Sequence, residues 1–190
     1  MKRMFNSLVR PILDYCSQLW GPPEGPLLDA LEKTQRDFTR LIPECRNLDY
    51  NERLSFLKML SVQRRFDRYR VIYMMKIAKN NVPNPGVSLK HDGDHRKGMT
   101  FMIPDKNQST GKWSSVLRKN SFQWRGLTIF NALPIHLRDK DQSMETFKLR
   151  LDQYIEMIPD APRCGSSTWS KNDLDARINQ WEWCIRNGSF

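Results

Sequence analysis

Apolar residues recur at intervals of three and four along most of the chain, the spacing that buries one face of a helix. The pattern predicts helices over residues 11–20, 24–42, 50–59, 62–79 and 121–133, another after Ser143, and a last one along Leu174, Ile178, Trp181 and Ile185. Proline agrees with these boundaries, since Pro11 suits a first helical turn and Pro43 and Pro134 end helices. The sequence therefore predicts a mostly α protein, a helical bundle of about six to seven helices.

The segments between the helices contain turn signals and one candidate for β structure. Residues 87–89 and 99–103 are predicted to be the two strands of one small β-hairpin. The resulting organisation is a first helical segment (1–42), a basic helical region (43–80), a loop with the hairpin (81–120), a helical pair (121–158) and a tail with a terminal amphipathic helix (159–190). No period of 20–50 residues repeats, which excludes a solenoid.

Each of the first four predicted helices has an expected inner face. These faces are Ile12, Cys16 and Leu19; then Leu27, Leu31, Phe38 and Leu41, with Gln35 filling the gap; then Tyr50, Leu54 and Leu57; then Val62, Phe66, Tyr69, Tyr73 and Ile77. Before them, Met4, Phe5, Leu8 and Val9 begin an apolar pattern with no capping residue in front of it. That uncapped start favours a chain that begins inside a larger structure.

Basic residues outnumber acidic ones and concentrate in two blocks. The 190 residues include 31 Lys and Arg against 21 Asp and Glu, a net charge of +10. Residues 61–79 contain six bases and one acid, and residues 96–125 contain seven bases and one acid. A surplus of this size attracts phosphate backbones or anionic lipid, whatever the fold.

The two blocks supply the candidate binding residues. A helical projection places Arg64, Arg65, Arg68, Lys76 and Lys79 in one sector beside the apolar stripe, and the second block contributes Lys112, Arg118, Lys119 and Arg125. We expect these side chains to meet phosphates in a salt-dependent, weakly sequence-specific way. Trp113 and Trp124 lie among them and are candidates for stacking on bases. A solvated basic helix face and tryptophans packed in the core are the alternatives.

Other chemistry is not indicated. The four cysteines, Cys16, Cys45, Cys164 and Cys184, form no CxxC motif, which favours free thiols in a reducing compartment. His91 and His95 lie four apart, but Gly93 and the surrounding charges favour a solvated turn over a metal site. The sequence has none of the common hydrolase, P-loop, dinucleotide or zinc-protease motifs and no apolar run long enough to span a membrane. We therefore expect no catalytic residue, no metal and no cofactor.

Several phrases taken in order carry a family resemblance. They are LVRPILDYCSQLW (8–20), LLDALEKTQRDFTRLIP (27–43), YNERLSFLKMLSVQRRFDRYRVIYMMK (50–76), SFQWRGLTIFNALP (121–134) and METFKLRLDQYI (144–155). Over residues 5–156 the chain is similar to the region that follows the polymerase palm in reverse transcriptases of non-LTR (LINE-type) retrotransposons, of the jockey and chicken-repeat kind.

The resemblance implies that residues 1–42 are thumb and that the later helices are the C-terminal region. It implies contact with RNA or an RNA–DNA hybrid, a nuclear or cytoplasmic location, no membrane, and the rest of a reverse transcriptase as a further partner. The family's Tyr-x-Asp-Asp metal-binding motif is absent, so this chain is expected not to polymerise alone. Two departures are Phe130, where the family often has tryptophan before Asn131-Ala132-Leu133-Pro134, and the lack of a terminal Cys/His knuckle.

Other interpretations stay open at this point. One is a helical protein-interaction module whose tail, with Trp181 and Trp183, docks a partner. Another is a truncated, non-functional retroelement remnant that folds poorly without the missing palm. Binding of the basic helix to a membrane surface is weaker, because its apolar stripe has two tyrosines and no leucine.

Overall fold

The protein is mostly helical. The computed structural model describes residues 1–22, 26–89, 98–102, 121–158 and 160. The α-helices are α1 (Lys2–Met4), α2 (Arg10–Asp14), α3 (Ser17–Trp20), α4 (Pro26–Arg40), α5 (Tyr50–Leu57), α6 (Val62–Ala78), α7 (Phe122–Asn131) and α8 (Met144–Met157). A π-helical turn (Phe5–Val9) joins α1 to α2, and 3₁₀ turns follow α4 (Pro43–Cys45) and α7 (Ile135–Leu137). None of the helices in these ranges has both the length and the apolar character that crossing a membrane requires.

The described residues form two compact units, one from residues 1–69 with Asp160 and one from residues 70–158. The division falls inside α6, which contributes Val62–Tyr69 to the first unit and Arg70–Ala78 to the second.

The first helical segment differs from the predicted helix over residues 11–20. Helical structure already begins at Lys2 and widens to a π-turn over Phe5–Val9. Pro11 explains the widening, because it lacks an N–H and its ring would clash with the carbonyl group four residues earlier. The helix then breaks at Cys16, whose left-handed backbone (φ 50°, ψ 22°) begins α3.

The core of the first unit uses a face of the first helical segment that periodicity did not predict. Phe5 is buried and stacks on Phe38 with ring centroids 4.3 Å apart, and Val9 and Leu13 pack against the same cluster. Beyond Phe5, the buried members of this cluster are Ile42, Cys45, Tyr50, Leu54, Leu57 and Met59. The predicted inner residues Ile12 and Leu19 are instead exposed, at 76% and 59%.

Helix α4 is rotated relative to its expected face. Leu27 and Leu41, predicted to point inward, are 72% and 62% exposed. Its buried residues are Leu28, Glu32, Gln35 and Thr39, three of which are polar.

The third and fourth predicted faces fit better. Tyr50, Leu54 and Leu57 of α5 are buried, and α5 begins with a capping box between Asp49 and Glu52.

The second unit packs α7 against the C-terminal half of α6 and also contains α8. A Cβ atom placed on Gly126 would lie 2.9 Å from the Met74 sulfur, so α7 approaches α6 closely at this glycine. Tyr73 meets Phe122 edge to face with ring centroids 5.2 Å apart. Ser143 caps α8 by accepting from the Thr146 N–H at 3.1 Å, as the sequence predicts. The buried residues of α8 are Phe147, Leu151, Tyr154 and Ile155.

The predicted hairpin is reduced to a single antiparallel bridge between Leu89 and Phe101 in the described part of the chain. Phe101 is held to α7 by Asn131, whose side chain accepts from the Phe101 N–H and donates to the Phe101 carbonyl, both at 2.9 Å. The Phe101 ring meets Phe130 edge to face at 5.1 Å. Asn131 thus completes the polar pairing that a second strand would otherwise supply.

Candidate nucleic-acid interface

Helix α6 carries the first block of candidate binding residues, and its first half is buried on nearly every side. Val62 and Phe66 are fully buried, and Arg64 and Arg65 are only 8% and 1% exposed. The expectation of a solvent-facing basic sector is therefore wrong for Arg64 and Arg65. A helix enclosed in this way must satisfy its charged groups with internal partners.

Arg65 is held by partners from three other segments of the first unit. Its Nε lies 3.1 Å from an Asp14 carboxylate oxygen, and its Nη1 donates to the Gln35 side-chain oxygen and, at 3.0 Å, to the Leu60 carbonyl. Asp14 also accepts from Arg10 at 3.1 Å and from the Tyr69 hydroxyl at 3.0 Å. Arg65 therefore acts as the centre of a polar network that fixes α6 against α2 and α4.

Arg64 lies beside the start of the same helix. The Ser61 hydroxyl accepts from the Arg64 N–H at 3.1 Å, as an N-cap does. Asp160 accepts from the Ser61 N–H and hydroxyl at 2.7 Å and 2.8 Å, and its carboxylate lies 3.8 Å from the Arg64 Nε. An acidic side chain at a helix N-terminus is favourable, because the first N–H groups carry partial positive charge.

The polar network extends to a buried carboxyl group on α4. Glu32 is 3% exposed, accepts from the Tyr50 hydroxyl and accepts from the Val62 N–H at 2.9 Å. Gln35 links the two halves by donating to the Tyr50 oxygen at 3.1 Å and to the Leu60 carbonyl at 3.0 Å. The guanidinium groups of Arg36 and Arg53 lie 5.1 Å and 5.7 Å from the centre of the Tyr50 ring.

Burial changes the acidity of both members of the Glu32–Tyr50 pair. Burial raises the pKa of Glu32 above its ordinary value of 4.5, with Asp160 adding to the rise while Tyr50 and Arg65 oppose it. Burial, followed by the charge of Glu32, also raises the pKa of Tyr50 well above its usual range. Tyr50 therefore stays a hydroxyl donor at every physiological pH.

The other candidates of the first basic block reach solvent. Arg68, Lys76 and Lys79 are half-buried. Arg68 lies over the Tyr69 ring, with its guanidinium carbon 5.9 Å from the ring centre. The Lys79 ammonium group donates to the carbonyls of Lys140 and Gln142, which ties it to the loop before α8. These three residues stay predicted phosphate contacts, with Lys79 already committed to an internal role.

Two of the candidates from the second basic block, Arg125 and Trp124, lie in the described part of the chain. Arg125 is 5% exposed on α7, so the expectation that it faces solvent is wrong. Trp124 is half-buried on the same helix. The remaining candidates, Lys112, Trp113, Arg118 and Lys119, lie outside the described residues, as does the tail helix with Trp181 and Trp183.

Periodicity missed two of the residues that organise the interior. Asp14, whose side chain is 11% exposed, and Glu32 are acids that no local pattern marks as inward-facing, whereas Gln35 is buried where the helical pattern placed it. It also missed Tyr15 and Trp20, which are 76% and 47% exposed at the junction of α2 and α3. An aromatic residue on each side of the predicted apolar face was the available signal.

Neither a metal cluster nor a known relative supplies a function. Within the described ranges, no group of three or more His, Cys, Asp or Glu side chains is arranged to hold a metal ion. Cys16 and Cys45 carry free thiols. Searches against protein-family models, curated proteins and solved structures find no match to this chain.

Proposed function

We propose that this chain binds nucleic acid as the thumb and C-terminal region of a non-LTR retrotransposon reverse transcriptase, without the catalytic carboxylates of the palm. The observation that carries the proposal is the net charge of +10 on 190 residues. Such a charge gives long-range attraction to phosphates and releases counterions on binding. The sequence resemblance supplies the class of ligand, RNA or an RNA–DNA hybrid.

The half-buried cations of α6 support a modest number of phosphate contacts. Arg68 and Lys76 keep part of their side chains in solvent, whereas Arg64 and Arg65 are buried and paired with carboxylates inside the fold. Phosphate contacts without base contacts position a nucleic acid and do not read its sequence. The proposal is therefore of salt-sensitive binding with little sequence preference.

The test is a salt titration with a matched variant. The purified chain is titrated against a labelled RNA–DNA hybrid by fluorescence anisotropy at 50, 100 and 200 mM salt, because added salt screens interactions between exposed charges. Affinity should fall by at least about tenfold across this range. Lys76→Ala should make the slope of log affinity against log salt shallower by about 0.7–0.9. Arg46→Ala removes an exposed cation from another segment and should leave the slope unchanged. A folded chain that does not bind at 50 mM salt would refute the proposal.

One observation favours a second candidate, a helical protein-interaction module. Met4, Leu8 and Ile12 each precede a core-facing residue by one position and are 63%, 63% and 76% exposed. They therefore form a second apolar stripe beside the buried one, and such stripes commonly mark protein interfaces. Binding that depends on Leu8 and does not weaken with salt would favour this candidate over the first.

A further inference from the structure

Two aromatic side chains stand exposed at the junction of α2 and α3. Tyr15 is 76% exposed and Trp20 is 47% exposed, and both belong to the first unit. The Tyr15 ring and the exposed part of the Trp20 indole present apolar surface to solvent. They are therefore available to a ligand with flat, apolar faces of its own.

The backbone holds the two aromatic residues together. The left-handed conformation of Cys16 breaks the helix between them, so that the chain turns and begins α3. The Trp20 indole N–H then donates to the Tyr15 carbonyl, and the indole meets Phe66 of α6 edge to face at 5.6 Å and 68°. These contacts fix the indole before any ligand arrives, which lowers the entropy lost on binding.

Two arginines are linked to Asp14, the residue that precedes Tyr15, Arg10 directly and Arg68 through Tyr69. Arg10 has a side chain 36% exposed, and Arg68 lies over Tyr69, whose hydroxyl bonds to Asp14 next to Tyr15. Asp14 is the single acid among residues 1–22. It already accepts from Arg10, Arg65 and Tyr69, so its negative charge is compensated within the fold.

We propose that Tyr15 and Trp20, together with Arg10 and Arg68, form a stacking platform for single-stranded nucleic acid. This inference rests on the proposed function. It adds that the nucleic acid bound by the first unit is single-stranded. Unpaired bases present π-faces that stack on tyrosine and tryptophan, whereas bases inside a duplex are already stacked on one another. The arginines meet the phosphates between the stacked bases.

The experiment measures binding of the full chain to a labelled single-stranded uridine 20-mer and to a duplex of equal length, by fluorescence anisotropy at one salt concentration. Tyr15→Ala should weaken binding of the single strand about five- to hundredfold, and Tyr15→Phe, which keeps the ring, should restore it. Trp20→Phe should weaken it less. Phe56→Ala removes another exposed aromatic ring, 60% exposed on α5, and should have no effect. Circular dichroism checks that each variant is folded.

The outcomes separate this inference from the proposed function. If the wild-type chain binds with the expected salt dependence and Tyr15→Ala binds the single strand equally well, the platform is refuted and the proposed function stands. If the wild-type chain binds no nucleic acid, both are refuted. If sedimentation shows a dimer that Tyr15→Ala dissociates, a second copy covers these rings, and the platform is refuted. Selective loss of single-strand binding, with duplex binding unchanged, supports the platform.

Discussion

Glu32 is a buried carboxyl group, and burial disfavours its charged form. Its carboxyl group accepts from Tyr50 and from the Val62 N–H inside the first unit, with about 3% of the residue exposed. Because burial raises its pKa above 4.5, the folded state holds the proton more tightly than the unfolded state does. The stability of the fold must therefore depend on pH through this group.

The sign of that dependence is fixed by the direction of the shift. Well below pH 4.5, Glu32 is protonated in both the folded and the unfolded state, so its titration does not change the free energy of unfolding. As pH rises through 4.5 and on to the higher folded-state pKa, the folded state binds more protons than the unfolded state, so its stability falls. We expect Glu32→Gln to remove this decline. The measurement is the free energy of unfolding in urea from pH 4.5 upward, and parallel curves for the two proteins would contradict the prediction.

At the scale of the element, Asn131 joins the segment around Phe101 to α7. Its side-chain amide pairs with both backbone groups of Phe101, which is 1% exposed. Asn131→Ala leaves a buried N–H and a buried carbonyl without their partner, so we expect a loss of about 1–3 kcal/mol in the free energy of unfolding. Asn131→Asp keeps an acceptor for the Phe101 N–H and should retain the slow hydrogen exchange of that amide. Equal hydrogen-exchange rates of the Phe101 amide in Asn131→Ala and in the wild type would show that Asn131 does not hold the Phe101 backbone.

Helix α6 shows how much of the elements the sequence could predict. Its apolar spacing predicts residues 62–79, and the helix spans Val62–Ala78. The sequence pattern could not predict which faces of the helix are buried, because Arg65 is buried by Asp14 and Gln35, which lie 51 and 30 residues away. The same limit explains α4, where Glu32 and Thr39 lie on the inner face in place of Leu27 and Leu41, whereas Gln35 is buried as predicted. Periodicity counts apolar residues and has no term for polar groups satisfied by distant partners.

The break at Cys16 had a different cause. Cysteine has no particular preference for the left-handed region, which favours glycine, asparagine and aspartate, so the residue type carried no warning. Burial by distant partners and the unpredicted break at Cys16 affected the prediction of the candidate site most. Arg64, Arg65 and Arg125 were expected at the surface and lie inside, whereas the apolar pattern made no prediction for Tyr15, which is exposed.

For the whole molecule, the net charge of +10 includes arginines whose charge is compensated internally. Arg65 is paired with Asp14 at 3.1 Å and is 1% exposed, whereas Arg68 reaches solvent. Arg65→Met and Arg68→Ala each remove one positive charge, so a response to net charge alone would be the same for both. We expect Arg68→Ala to make the salt slope of hybrid binding shallower by about 0.7–0.9 and Arg65→Met to leave it unchanged, because only contacts with phosphates release counterions. Anisotropy titrations of the two folded variants make the comparison, and equal slopes would show that net charge, and not a defined surface, governs the binding.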